Sequence, residues 1–174
     1  MLPMVLPPSI VGYILLIIIG KNGPLGQLFN LNIAFTIWAA ILAAVVVSMP
    51  LMVQNAKSAF REINPIFTKI SMTLGANPKQ RFWKLHLPLA APRLLSGIIL
   101  SFARALGEFG ATLMVAGNIP GRTQSIPLAI YFSVESGDLK TANLLTVVVL
   151  SISFIALWSI NKLSKPHHEE VDHA

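Results

Sequence analysis

The stretch IAFTIWAAILAAVVVSMPLMV, residues 33–53, decides the fold. None of its 21 positions carries a charge, and a helix needs only ~20 predominantly apolar residues to cross a bilayer. It is rich in Ala and Val, with Trp38 near its start, where interfacial aromatics sit. Further apolar stretches cover residues 94–115, 144–160 and 1–19. In the last of these only residues 10–19 form an uninterrupted run, because Pro3, Pro7 and Pro8 break a continuous helix. Across the 174 residues, 54% are hydrophobic and only 11% are charged, about half the charged fraction of a soluble domain. So few charges do not make a water-soluble surface. The expectation is an all-α, polytopic helical membrane protein with about four spans, not one soluble helical domain. The first stretch is not a signal peptide, since no basic residue precedes it and no small-residue cleavage site follows.

Between these stretches the polar segments differ in character. Lys21-Asn22-Gly23-Pro24-Leu25-Gly26 is a turn-rich connector. Residues 117–140 form a second connector rich in Gly, Pro and polar side chains. Residues 54–93 hold Lys57, Arg61, Lys69, Lys79, Arg81, Lys84 and Arg93, and the tail adds Lys162 and Lys165. The other connectors hold only Lys21, Arg122 and Lys140. Lys and Arg mark cytoplasmic loops, so the 54–93 loop and the C-terminus are expected in the cytoplasm. The net charge of +6 is therefore a topology signal rather than a sign of nucleic acid. The domain reading is one membrane body over residues 1–161, followed by a polar cytoplasmic tail over residues 162–174.

The 54–93 loop is too long for a plain connection. Ile66, Ile70, Thr73 and Leu74 fall at helical spacing, as do Phe82, Trp83 and Leu85. Gly75-Ala76-Asn77-Pro78 lies between them; Gly ends one helix and Pro suits the first turn of the next. Two short amphipathic helices are predicted, the second ended by Leu87-Pro88, with His86 on the loop surface. Such a basic, amphipathic element serves either lipid binding or docking of a soluble partner.

Gly75, followed after nine residues by Leu85-His86-Leu87-Pro88, resembles the cytoplasmic signature loop of ABC importer permeases. That signature opens with Glu-Ala-Ala, where this chain has Lys69-Ile70-Ser71, so any ion pair made by the family's Glu is not expected here. Downstream, Phe102-Ala103-Arg104-Ala105-Leu106-Gly107-Glu108-Phe109-Gly110-Ala111-Thr112 is similar to the molybdate permeases. So are Gly117-Asn118-Ile119-Pro120-Gly121-Arg122-Thr123-Gln124 and Ile126-Pro127-Leu128-Ala129-Ile130-Tyr131. Leu6-Pro7-Pro8 with Gly12-Tyr13, and Asn22 to Gly26, extend the likeness over nearly the whole chain except the tail. Sulfate and thiosulfate permeases share the Arg-Ala-x-Gly-Glu core but continue Tyr-Gly-Ser rather than Phe-Gly-Ala-Thr.

The resemblance implies a type I ABC importer permease fold in the bacterial cytoplasmic membrane, with molybdate as the anion imported. The implied partners are a second permease, two ATP-binding subunits, a periplasmic or lipoprotein oxyanion-binding protein and the lipid bilayer, with no nucleic acid. It implies that Gly75, Ala76, Asn77, Pro78, Arg81, Phe82, Trp83, Leu87 and Pro88 belong to the loop that couples to the ATPase. Asn118, Pro120, Gly121 and Arg122 then form an external connector. Tungstate or sulfate transport, or a non-transporting remnant, are the alternative readings. Family members carry further N-terminal residues with another membrane-crossing helix, so Met1 is expected to stand at a truncation point.

Arg104 and Glu108 are four residues apart within the third apolar stretch, so they can pair. A structural pair and a gate or pathway element are both open, as is a bond from Glu108 across a dimer interface. Gly107 and Gly110 flank Glu108 and are expected to allow close helix approach. No Gly-x-x-x-x-Gly-Lys phosphate loop occurs, so ATP would have to be used by another chain, and no catalytic constellation suggests an enzyme. No cysteine is present, and no cofactor or metal is expected in this chain. His167-His168-Glu169-Glu170, with Asp172 and His173, is read as a solvated tail rather than a metal site.

Overall fold

A computed structural model of the chain describes residues 6–29 and 33–163. The described residues are helical, with no strand among them. The helices are α1 (Pro8–Ile19), α2 (Pro24–Phe29), α3 (Ile37–Arg61), α4 (Pro65–Thr73), α5 (Pro78–Arg81), α6 (Leu87–Leu106), α7 (Gly110–Ala116), α8 (Ile126–Glu135) and α9 (Leu139–Leu163). A π-turn, Phe82–His86, joins α5 to α6. Four segments are long and apolar enough to cross a membrane: Pro8–Gln27, Ile37–Arg61, Pro78–Leu106 and Leu139–Ile160.

The expected spans are present, with shifted ends. Pro7 and Pro8 start α1 instead of breaking it: Pro8 is in the first turn, where its missing N–H costs nothing, and the Pro7 carbonyl accepts from Ile10 and Val11. Pro3 and the His/acidic tail, residues 167–173, lie outside the described residues. The turn after α1 is shorter than expected, since Pro24 already begins α2. α3 runs on past Val53 to Arg61, which at 1.5 Å per residue makes it about 37 Å long, more than the ~30 Å hydrocarbon core. The connector after α7 includes the ten-residue apolar helix α8, with Leu128 fully buried. Asp138 opens α9 by accepting from the Thr141 amide at 3.1 Å, and Thr141 holds the Asp138 carboxyl below its usual range.

The largest departure is in the third span. A single helix over residues 94–115 is expected, but the helix begins earlier and stops at Leu106. Upstream, Leu87-Pro88 does not end a loop helix; the Leu87 amide bonds to the Phe82 carbonyl, five residues back. This wide turn lies just where an α-turn would press the Pro88 ring against the Lys84 carbonyl, so α5, the π-turn and α6 form one apolar segment, Pro78–Leu106.

Packing rests on small residues. α3 lies along α6, and α7 along both α1 and α3. The core includes Ala39, Ala43, Ala111 and Ala116, all fully buried, with Val115 and Ile19. A β-carbon on Gly12 would lie 2.7 Å from Ala111 Cα, and one on Gly97 would lie 2.7 Å from Asn55 Cβ. Lipid is as apolar as Leu, so close backbone approach and dispersion hold such helices together.

These distances predict a contrast between two glycines. Gly12→Ala should lower the melting temperature of the detergent-solubilised protein, by the ~1–3 kcal/mol typical of overpacking. Gly107→Ala should be tolerated, because a β-carbon there would meet only the carbonyl oxygens of Arg104 and Ala103, at 3.9 and 4.0 Å. Equal melting of the two variants would contradict this packing.

Candidate functional site

The loop folds as two short helices around the predicted turn. Pro65 starts α4 and the Asn64 side chain caps it by accepting from the Ile66 amide at 2.9 Å. Gly75 has φ +74, a left-handed value that suits glycine, and ends α4. Asn77 and Gln80 then make a reciprocal capping box, each side chain accepting from the other's amide, at 2.8 and 3.0 Å. Pro78 occupies the first turn of α5. Gly75, Ala76, Asn77, Pro78, Arg81, Phe82 and Trp83 are thus one continuous structure, while Leu87 and Pro88 belong to the start of α6.

His86 is not simply on the surface; it is half-buried, 3.1 Å from the Thr68 hydroxyl, and ties the π-turn to α4. A second tie was not read from the sequence: Glu62, at the end of α3, forms an ion pair with Arg93 on α6. The sequence signal was available, since Glu62 is the sole acidic residue among residues 54–93. A recess of ≈ 240 Å³ lies beside this pair, lined in part by Asn64, Phe67 and Leu89. The apolar face of α4 is uncovered among the described residues: Ile66 is 53% exposed, Ile70 51% and Leu74 80%.

Inside the membrane-spanning body, Arg104 and Glu108 meet as the spacing predicts, with Nη1 3.1 Å from Oε2. Glu108 also has a role the spacing did not reveal. Its Oε1 accepts from the Ala111 amide at 2.8 Å, so the carboxylate caps the first turn of α7. The positive end of a helix dipole and a guanidinium thus share one buried carboxylate, only 3% of the residue being exposed. This explains the break: Gly107 ends α6, and Glu108, three residues before Ala111, starts a new helix. Gly110 takes part in close approach, its β-position being 3.3 Å from Pro8 Cβ and from the Ser9 amide nitrogen. Gly107 does not, as no other helix comes within 4 Å of its β-position. A crevice of ≈ 190 Å³ adjoins Glu108, with Thr112, Ser125 and Ala40 in its walls.

The connector over residues 117–124 is ordered. The Ile119 carbonyl accepts the amides of Arg122, Thr123 and Gln124 at 3.0, 2.9 and 3.2 Å. Pro120 and Gly121, the latter at φ +72, fill the two central positions as a type II turn requires. Thr123 is buried, and its hydroxyl accepts from the Ile119 amide at 3.2 Å. Arg122 is exposed on the turn, Asn118 half-buried beside it. The 54–93 loop, the Arg104–Glu108 pair and this connector are three separate places on one helical body, and among the described residues no cluster of His, Asp or Glu could hold a metal.

Comparison with known proteins agrees with this architecture. The family model described as "Binding-protein-dependent transport system inner membrane component" matches residues 1–165. YvgM of Bacillus subtilis (strain 168), a permease protein named for a molybdenum transport system, is 49% identical over 166 residues, covering 93% of this chain and 73% of YvgM. The molybdenum transport system permease protein ModB of Escherichia coli (strain K12) is 39% identical over 161 residues, 90% of this chain and 70% of ModB. The sulfate transport system permease protein CysT of Salmonella typhimurium (strain LT2) is 34% identical over 165 residues, 93% of this chain and 60% of CysT. Four apolar spans and a family match over almost the whole length lead to one conclusion: this chain belongs to the binding-protein-dependent transport system inner membrane components, a family of multi-pass membrane permeases.

Proposed function

We propose that the chain is the permease subunit of an ATP-driven importer whose cargo is molybdate. The observation that carries the coupling half of this reading is the uncovered apolar face of α4, Ile66, Ile70 and Leu74, on a capped helix outside the spans. A capped helix with one apolar face suits a groove on a soluble partner, and a separate ATPase is that partner. The cargo half rests on relatives named for molybdenum transport at 39% and 49% identity, against 34% for the sulfate permease protein.

In this mechanism two permease chains line the pathway at their interface. Two ATPase subunits close on ATP and draw the paired loops together. The spans tilt, the pathway opens toward a loaded oxyanion-binding protein, and hydrolysis resets it. The α4–α5 loop is the input. Because α5 runs through the π-turn into α6, a push on the loop is carried into the membrane along a single segment, and Glu62–Arg93 ties the end of α3 to it. The seven basic residues of 54–93 favour the cytoplasmic side for this loop. Arg104 is committed to Glu108, which supports a positioning role for the pair: it sets the angle between α6 and α7 at the pathway.

Uptake of labelled molybdate by proteoliposomes holding the permease, its ATPase and its binding protein tests the function. Tungstate should compete and sulfate at the same concentration should not; competition by sulfate alone would favour the sulfate reading.

Orientation follows from single cysteines at Gln80 and Arg122, both exposed. An impermeant thiol reagent outside intact cells, with any outer membrane permeabilised, should label Arg122→Cys and spare Gln80→Cys. The opposite pattern reverses the topology.

Coupling is tested at Gly75. No atom lies within 4 Å of its β-position, so only φ +74 constrains it. Gly75→Asn should retain substrate-stimulated ATP hydrolysis, because Asn tolerates the left-handed region, whereas Gly75→Val should lose most of it. Normal coupling in Gly75→Val would remove the loop from the transmission path.

For the intramembrane pair, Glu108→Gln keeps an acceptor for the Ala111 amide and loses only the charge, so it should harm assembly less than Glu108→Ala. With Arg104→Gln, the double-mutant cycle should give a coupling of about 1 kcal/mol or more. Strict additivity would mean that the two residues act apart.

A further inference from the structure

At one corner of the molecule two span ends meet in an aromatic cluster. Phe60, one residue before the end of α3, stacks on Phe82 of the π-turn, with ring centroids 6.2 Å apart. Trp83 sits edge-on to Phe82 at 5.4 Å and is 59% exposed. The cluster lies where the span Ile37–Arg61 ends and the span Pro78–Leu106 begins, the depth at which aromatic belts form.

Basic residues surround it in sequence. Lys57 is three residues before Phe60, on the same helical face, and Arg61 follows it directly; Arg81 and Lys84 flank Phe82 and Trp83. Lys57, Arg61 and Lys84 are exposed, and Arg81 is half-buried. The one local carboxylate, Glu62, is taken by Arg93 and by the Ser58 hydroxyl at 3.0 Å. Among the described residues no ion pair engages the other four cations. They therefore leave uncompensated positive charge on the two span ends that the stacked rings join, beside an exposed indole.

The geometry points to a binding site for an anionic phospholipid at this corner, with Lys57, Arg61, Arg81 and Lys84 around the headgroup phosphate and Trp83 at the acyl boundary. Charge complementarity selects the occupant. An apolar groove-filling helix would leave four cations unmet, whereas an acidic headgroup meets them and offers its chains to the aromatic cluster. The face differs from that of α4, whose Ile66, Ile70 and Leu74 are apolar and carry the proposed ATPase contact. The inference rests on this patch lying at a leaflet surface, not on the identity of the cargo or the presence of an ATPase.

Tryptophan quenching tests it. The chain has three Trp residues, so W38F with W158F leaves Trp83 as the sole fluorophore. The 174-residue chain is reconstituted in vesicles containing either brominated phosphatidylglycerol or brominated phosphatidylcholine with identical acyl chains. Each basic residue near an anionic surface contributes roughly 1 kcal/mol, about a fivefold local enrichment. Trp83 should therefore reach half-maximal quenching at an anionic-lipid mole fraction at least about fivefold below that for the zwitterionic lipid. Replacing Lys57, Arg61, Arg81 and Lys84 by Gln should abolish the preference. A companion form that retains only Trp158, on the lipid-spanning helix α9, should be quenched equally by both lipids with and without these substitutions, which verifies insertion. Equal quenching of Trp83 by both lipids would overturn the proposal, as would a preference that survives the four substitutions. If neither lipid quenches Trp83 but its emission shifts when the ATPase subunit is added, the patch is a protein interface and the lipid site is wrong.

Discussion

Within a bilayer there is no water to satisfy a backbone amide, so any interruption of a helix must be closed from within the protein. This chain breaks its third apolar stretch, residues 94–115, between α6 and α7, and the break depends on Glu108. One carboxylate oxygen takes the Ala111 amide at the start of α7 and the other takes the guanidinium of Arg104 at the end of α6. A charge in hydrocarbon costs ~3 kcal/mol on insertion scales. Here that cost is offset because the same group pairs with the guanidinium on α6 and caps the first turn of α7. Remove the carboxylate and the first turn of α7 and the Arg104 cation lose their partner together. The packing of α7 against α1 and α3, and with it the small-residue core, depends on that junction.

Much of this was legible in the sequence for physical reasons. An uncharged stretch such as residues 33–53 leaves no choice but a span, and the Gly75-Ala76-Asn77-Pro78 turn announces itself because each residue type is chosen for one conformation: left-handed glycine, side-chain cap, first-turn proline. The Arg104–Glu108 contact followed from four-residue spacing. Hydropathy fails where a helix breaks without losing apolar character. Residues 94–115 read as one span because, apart from Arg104 and Glu108, the side chains around Gly107 are apolar, and the decisive event is the Glu108 carboxylate accepting an amide three residues on. The prolines misled for the complementary reason. Pro8 and Pro88 are breakers in a helix interior, but the first sits in a first turn and the second follows a wide turn that makes room for it. Of the long-range ties, Glu62–Arg93 had a signal in the lone acidic residue of the loop, whereas Thr68–His86 joins residues 18 apart and no local pattern encodes it.

The loop is built to be stiff. Two caps, a hydrogen bond from α4 to the π-turn, an ion pair from α3 to α6 and a pair of stacked rings fix it to the ends of two spans. Its outward apolar face is consequently presented, not merely exposed, since ordering it on a partner would cost little further conformational entropy.

The π-turn at Phe82–His86 also sets an angle. A regular helix advances about 100° per residue, so one residue more or less between two helical segments rotates everything before it relative to everything after it by about that amount. The five-residue ring closed by the Leu87 amide on Phe82 holds one such surplus residue. It thereby fixes the azimuth of α5 about the axis of α6, and so the direction in which the loop projects. The wide turn is a phase setting, stored in chain length rather than in any side chain, and a sequence that kept every residue's chemistry but lost one position there would aim the same rod elsewhere.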